Sequence, residues 1–243
     1  MVTIFVREIN SYFSSLLGYI NVIVFLVSLG LFIWVFPDTS IMEYGYATLE
    51  PLFIISPWVF LFLIPAVTMR SFAEEKHTGT IELLVTKPIS DLRIILGKYF
   101  ASLFLVLFSL APTLVYFFSI SKLGYPPGNI DAGATWGSYI GLFFVGASFV
   151  SIGKFSSSLT SNQIVSFILA LFLCFVFYSG FDYISELPVF IGKIDDIILL
   201  IGINSHYNSM SRGVIDTRDV VYFISFISIF ILLTKIVLES RKW

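Results

Sequence analysis

RSFAEEKHTGTIELLVTKPISDLR, residues 70–93, is the most densely charged stretch of an otherwise apolar chain. Arg70, Glu74, Glu75 and Lys76 fall in a polar helical turn or two. Gly79 can take the left-handed conformation that ends such a helix. Thr80 can cap a second, short helix, with Glu82 in the first turn, where the helix dipole favours an anion. Ile81, Leu84 and Val85 then form an apolar knob on one side of that helix, with Leu83 beside it. Pro88 stops it, because the ring disfavours helical geometry in the preceding residue. Ser90 can cap the next helix. A short helix held between two membrane spans is a handle on which something outside the membrane can push.

The chain around this loop settles the fold class. Of its 243 residues, 57% are hydrophobic and 12% charged, and 27 are Phe. The apolar residues come in long runs, which a soluble domain of this size cannot hide. The expectation is an all-α polytopic membrane protein with six transmembrane helices in a single domain, residues 1–243. Residues 1–15 alternate faces at helical spacing and read as an interfacial helix lying on the bilayer. Spans are expected at 16–36, 51–69, 94–120, 136–152, 163–181 and 220–238, each of a length suited to ~30 Å of hydrocarbon. Residues 70–93 form the loop just described. Residues 182–219 form a second large loop, whose brief apolar run at 197–203 is too short to cross and reads as a re-entrant or interfacial hairpin. The first apolar run has span length and no small-residue cleavage site after it, so a signal peptide is not expected.

Six spans put both termini on one side. Ten of the 14 Lys and Arg residues fall on that side, together with residues 70–93, and four fall on the other. The positive-inside rule therefore makes the termini and the 70–93 loop cytoplasmic. Pro57, Pro65 and Pro112 lie inside spans, where neighbouring helices must satisfy the carbonyls they free. The stripe Gly137, Gly141, Gly146 lets another helix approach closely, and packing within the chain is preferred over a dimer seam. A polar turn is expected at 154–162. Lys98 and Lys235 sit near the ends of spans and are expected to snorkel to the surface.

Several chemistries are excluded. No G-x-x-x-x-G-K-[ST] phosphate loop is present, so the chain should not bind ATP by that route. No span carries Asp, Glu, His or Arg near its middle, as ion-coupled transporters and intramembrane proteases require. His77 beside Glu74 and Glu75 does not have H-E-x-x-H spacing. The single cysteine, Cys174, rules out an internal disulfide and reads as a small packed hydrophobe. The net charge of −2 singles out no partner, and no nucleic-acid contact is expected.

The run Glu74-Glu75-Lys-His-Thr-Gly79-Thr80-Ile81-Glu82-Leu83-Leu84, followed by Lys87-Pro88-Ile-Ser90 and Leu96-Gly97-Lys98, resembles the cytoplasmic loop of ABC-2 type transporter permeases. In that family the loop follows the second of six spans and carries a coupling helix that docks on the nucleotide-binding subunit. The resemblance thus implies an ATPase-coupling role for Glu74, Glu75, Gly79, Thr80, Ile81, Glu82, Leu83, Leu84 and Val85, with the glutamates steering a basic rim. A similarity over nearly the whole chain is carried by Phe5-Val-Arg7-Glu8-Ile-Asn10, Phe62-Leu-Ile-Pro65-Ala-Val-Thr68-Met-Arg70, Gly128-Asn-Ile-Asp131 and Ser211-Arg212-Gly213-Val-Ile-Asp216. Through these stretches the chain resembles the permease subunits of gliding-motility-associated ABC transporters of Bacteroidetes, the GldF family. That resemblance implies a bacterial inner-membrane permease subunit of an ATP-driven exporter, with no catalytic, cofactor or metal site of its own. ATP–Mg belongs to a separate cytoplasmic ATPase, and a second permease or membrane subunit, or a second copy, completes the translocator in the lipid bilayer. The rival reading is a non-transporting scaffold or mechanical transducer driven by the same ATPase.

Overall fold

The structure of the chain, a computed structural model, describes residues 1–43, 47–80, 90–190, 192 and 194–240. Among the described residues every regular element is helical. Helix α1 (Val2–Ser14) has an extended residue, Ser15, between it and α2 (Leu16–Trp34), and the two helices meet at 67°. Gly18 makes that bend possible, since a Cβ there would collide with the backbone of Tyr12. Helix α3 (Glu50–Thr68) runs through Met69 into α4 (Arg70–His77), so that one rod spans Glu50–His77. Next come α5 (Asp91–Leu110), a 3-10 turn at Ala111–Thr113 and α6 (Leu114–Leu123). Then α7 (Ala132–Leu159) and α8 (Gln163–Phe175) follow, the latter passing through a π-helical turn, Val176–Gly180, into α9 (Phe181–Ser185). Two short helices, α10 (Asp195–Leu199) and α11 (Ile203–Ser211), precede α12 (Thr217–Glu239).

Five of these rods are long and apolar enough to cross a bilayer, or six if the bent pair α1–α2 counts as one span. The chain is an all-α, multi-pass membrane protein. The start of α1 and the end of α12 lie at one end of the bundle, where Ile4 of α1 clusters with Phe72, Ile94 and Ile95, and Leu238 of α12 packs against them. Helix α7 is the axis of the fold: 78% of its most apolar window is buried, against 22% for α12. It is longer than its apolar stretch suggests. The polar turn expected at 154–162 is confined to residues 160–162, because Ser156, Ser157 and Ser158 are fully buried inside the bundle rather than exposed. Asp131 and Asn162 cap the N-termini of α7 and α8 by accepting backbone N–H groups. Ser90 stands at the N-cap of α5, but its hydroxyl makes no capping bond.

The small residues of α7 are filled from within the chain. A Cβ at Gly141 would sit 2.9 Å from the ring of Tyr207 on α11, and one at Gly146 would sit 2.8 Å from Val106 on α5. A Cβ at Gly153 would overlap Thr68 of α3. Close approach of helices through small residues is the packing mode available in lipid, where no hydrophobic effect drives helices together.

The prolines act as the sequence requires. Pro112 breaks the span into α5 and α6 through the 3-10 turn. Pro57 stays within α3 and removes the N–H that the Phe53 carbonyl would otherwise accept. That carbonyl accepts instead from the buried Tyr207 hydroxyl, at 2.8 Å. One residue of the 182–219 loop thus closes a gap in the Glu50–His77 rod. Tyr207→Phe leaves the Phe53 oxygen buried and unsatisfied, at a cost of about 1–3 kcal/mol. A lower melting temperature in detergent, restored in part by Pro57→Ala in the same chain, is the expected outcome.

Candidate functional site

At the end where α1 starts and α12 finishes, four elements converge on a buried cluster of charges. It is built on α4, the arm that leads into the 70–93 loop. Lys98 of α5 is 1% exposed. Its Nζ donates to Glu8 Oε1 of α1, to Glu75 Oε1 of α4 and to the Ser71 carbonyl, each at 2.9 Å. The ammonium also stands 5.3 Å from the centre of the Phe72 ring. Arg7 reaches the same two carboxylates, at 2.9 Å to Glu75 and 3.2 Å to Glu8. Lys98 is therefore not a snorkelling lysine. With an apolar wall of Ile4, Phe72, Ile94 and Ile95 around it, its charge finds carboxylates inside rather than water outside.

Helix α7 supplies the second half of the clamp. Lys154, also 1% exposed, donates to Ser71 Oγ at 2.8 Å. Ser157 Oγ accepts from the backbone N–H groups of Phe72 and Ala73, at 2.9 and 3.0 Å, and donates to the Met69 carbonyl at 3.0 Å. Lys76 donates to the Ser158 carbonyl. These bonds fall where the Glu50–His77 rod passes from α3 into α4, so the arm leaves the bundle at a fixed angle. Arg70 pairs loosely with Glu74 at 3.7 Å and donates to Gln163 Oε1 at 3.3 Å.

Electrostatics follow from burial and charge together. Burial alone would raise the pKa of the Glu8 carboxyl, but the charges of Lys98 and Lys154 and the hydrogen bonds from Lys98 and Arg7 hold it below its ordinary value. The acidic pair expected to face a partner is split. Glu75 points inward, with a side chain 14% exposed, and is spent on Lys98 and Arg7. Only Glu74, 46% exposed, remains available outside. Gly79 has φ +71°, and α4 ends at Thr78, whose hydroxyl donates to the Glu74 carbonyl and is shared with Thr80. Ile81, Glu82, Leu83, Leu84 and Val85 lie outside the described residues.

The sequence singles out Glu75 for a partner outside the chain; in the structure it holds Arg7 and Lys98, in a cluster with Glu8, Lys154, Ser71 and Ser157 that helical periodicity does not assemble. A signal was present: Lys98 and Lys154 each interrupt an apolar helix, and an ionisable residue in such a place needs a named partner. At the opposite end of the bundle, a cavity of ≈ 670 Å³ lies among α3, α7, the π-turn and α11. Trp58, Tyr178, Asn204 and Tyr207 are among its walls. Among the described residues no group of three or more His, Cys, Asp or Glu is placed to hold a metal ion.

Residues 48–239 match the family described as ABC-2 family transporter protein. No curated protein matches the chain.

Proposed function

Since this chain belongs to the ABC-2 transporter family, as a multi-pass permease subunit of an ABC transporter, we propose that it works as the force-receiving half of an ATP-driven exporter. A separate cytoplasmic ATPase binds ATP–Mg and docks on the 70–93 loop. Catalysis, in this reading, rests with that ATPase. The termini and the loop face the cytoplasm of a bacterial inner membrane, and a second permease, as a second copy or a distinct subunit, completes the passage. The stretches at residues 5–10, 62–70 and 211–216 support placing it among the gliding-motility transporters.

The observation that carries this reading is the buried cluster. A loop that only connects two spans needs no anchor, whereas α4 is tied through Lys98 and Lys154 to α1, α5 and α7. A push on the loop is then received by the rod Glu50–His77 and by α5 as one body. It is relieved where those spans yield, at Pro57, Pro65 and the break at Pro112. Both spans lead toward the far end of the bundle, and α3 lines the ≈ 670 Å³ cavity there, where substrate would leave.

The experiment is purification of the tagged chain in mild detergent, with and without its copurifying ATPase. Hydrolysis is expected only in fractions that hold the ATPase. An isolated chain that hydrolyses ATP at the rate of the complex would overturn the assignment.

A further inference from the structure

Between α1, α2 and the Glu50–His77 rod runs a cleft of ≈ 560 Å³. Its rim is polar and its floor apolar. Around the rim stand three cations, Arg7, Arg70 and Lys98, and three acids, Glu8, Glu74 and Glu75, so its formal charge is zero. Arg7 and Arg70 keep 55% and 43% of their side chains exposed and have donors to spare. The floor is made by Ile20 of α2 and by Leu63, Ala66 and Val67 of α3.

The telling residue is Asn21. It lies six residues into α2 from Ser15, roughly 9 Å deeper along the helix axis. It is 9% exposed, lines the cleft, and makes no hydrogen bond to any described residue. The amide opens onto the cleft, where its donor and its acceptor are both available to a ligand at a depth where such groups need one. Down the cleft come charged groups of both signs at the surface, then the open amide flanked by Ala66 and Val67, with Leu63 at the deepest level, seven residues or roughly 10 Å below Arg70 along α3. That is the order of a glycerophospholipid: headgroup, ester, acyl chains.

We propose that this cleft binds one phospholipid carrying a primary-amine headgroup, from the leaflet on the side of the termini. Arg7 and Arg70 take the phosphate, Glu74 takes the ammonium, and the Asn21 amide donates to an ester carbonyl. The acyl chains run over Leu63, Ala66 and Val67. The balanced rim decides among lipids. An anionic headgroup would add one uncompensated charge, and a choline headgroup has no N–H to give Glu74. Bound there, the lipid touches α1, α2, α3 and α4 at once and holds the surface helix against the arm of the loop. Its effect on coupling rests on the function proposed above; its binding does not.

The test supplies equimolar phosphatidylethanolamine, phosphatidylcholine and phosphatidylglycerol in nanodiscs and measures, by native mass spectrometry, the lipid retained after stripping. The wild-type chain is expected to keep one phosphatidylethanolamine. Asn21→Leu, which suits a membrane helix, should lower that retention about three- to tenfold, the worth of one hydrogen bond. Glu74→Arg should move the preference to phosphatidylglycerol. Retained lipid that mirrors the supplied mixture overturns the proposal, as does a wild-type preference for phosphatidylglycerol or retention unchanged in both variants. The assay contains no ATPase, so its failure leaves the permease assignment standing.

Discussion

Lys98→Met is expected to have the largest effect of any single change at the ion cluster. Methionine keeps most of the volume and removes the charge. Glu8 and Glu75, with side chains 12% and 14% exposed, then keep the half-exposed Arg7 as their direct ion-pair partner, with Lys154 acting from farther off. Removing one partner of a buried ion pair costs about 3–5 kcal/mol, chiefly because the remaining charge stays buried. In a chain of this length that corresponds to a fall in melting temperature on the order of 10 °C. The Ser71 carbonyl also loses its donor. If coupling runs through the cluster, the ATPase should still associate with the variant at a temperature where it is folded, but hydrolysis should no longer respond to the permease. Replacing Glu8 and Glu75 by Gln in the same chain should recover most of the lost stability, since no carboxylate is then left unpaired. Acid acts in the same direction. The folded-state pKa of Glu8 is depressed, so its contribution is present above the ordinary carboxylate value and is lost as pH falls through the lower, folded one. A Glu8→Gln chain should show a shallower loss of stability in that acid range.

The second large effect is Gly153→Leu. Leucine has the higher intrinsic helix propensity by about 1 kcal/mol, so an unconstrained site would gain from it. Here the Cβ alone overlaps Thr68, whose hydroxyl is fixed by a 2.8 Å bond to the Ile64 carbonyl. Thr68 is β-branched and cannot swing away cheaply. Overpacking of this kind costs about 1–3 kcal/mol, and more where backbone must move, so the clash outweighs the propensity. Separation of α7 from α3 would also draw Lys154 and Ser157 away from α4, because they follow within about one turn. The expected result is a melting temperature lowered by several degrees, with Thr68→Ala in the same chain recovering part of it. A chain as stable as wild type would show that α7 and α3 do not meet at this point.

Much of this architecture is legible in the sequence. Long apolar runs specify a polytopic helical protein, and Pro112 marks its break directly. Gly79 and Pro88 bracket the loop in the sequence as φ +71° brackets its first side in the structure. Partnership across the chain is not legible. Glu8 and Lys98 are 90 residues apart, and periodicity places each on its own helix without saying that they share a centre. The rule that terminal lysines reach for water misplaces Lys98, because it holds only where water is nearer than a carboxylate. The serines at 156–158 have the composition of a turn, yet inside a membrane protein a serine can bond a backbone group of a neighbouring helix and remain buried. The same limit explains Tyr207, whose value lies in the carbonyl that Pro57 frees more than a hundred residues away.

The ATPase is proposed to dock on the loop following α4. Copurification of the ATPase with Leu84→Asp, at low and high salt, tests it most directly. Leu84 lies outside the described residues, and the sequence alone singles it out: an apolar position on the loop between Gly79 and Pro88, which the charge bias is expected to place outside the bilayer. Burying such a leucine in a partner cleft contributes about 2 kcal/mol, and a carboxylate in its place is left without a partner. The predicted result is normal insertion and yield, an intact Lys98 cluster, and ATPase association weakened about 30-fold or more at both salt concentrations. A Leu84→Asp chain that inserts normally and still carries its full complement of ATPase would contradict it.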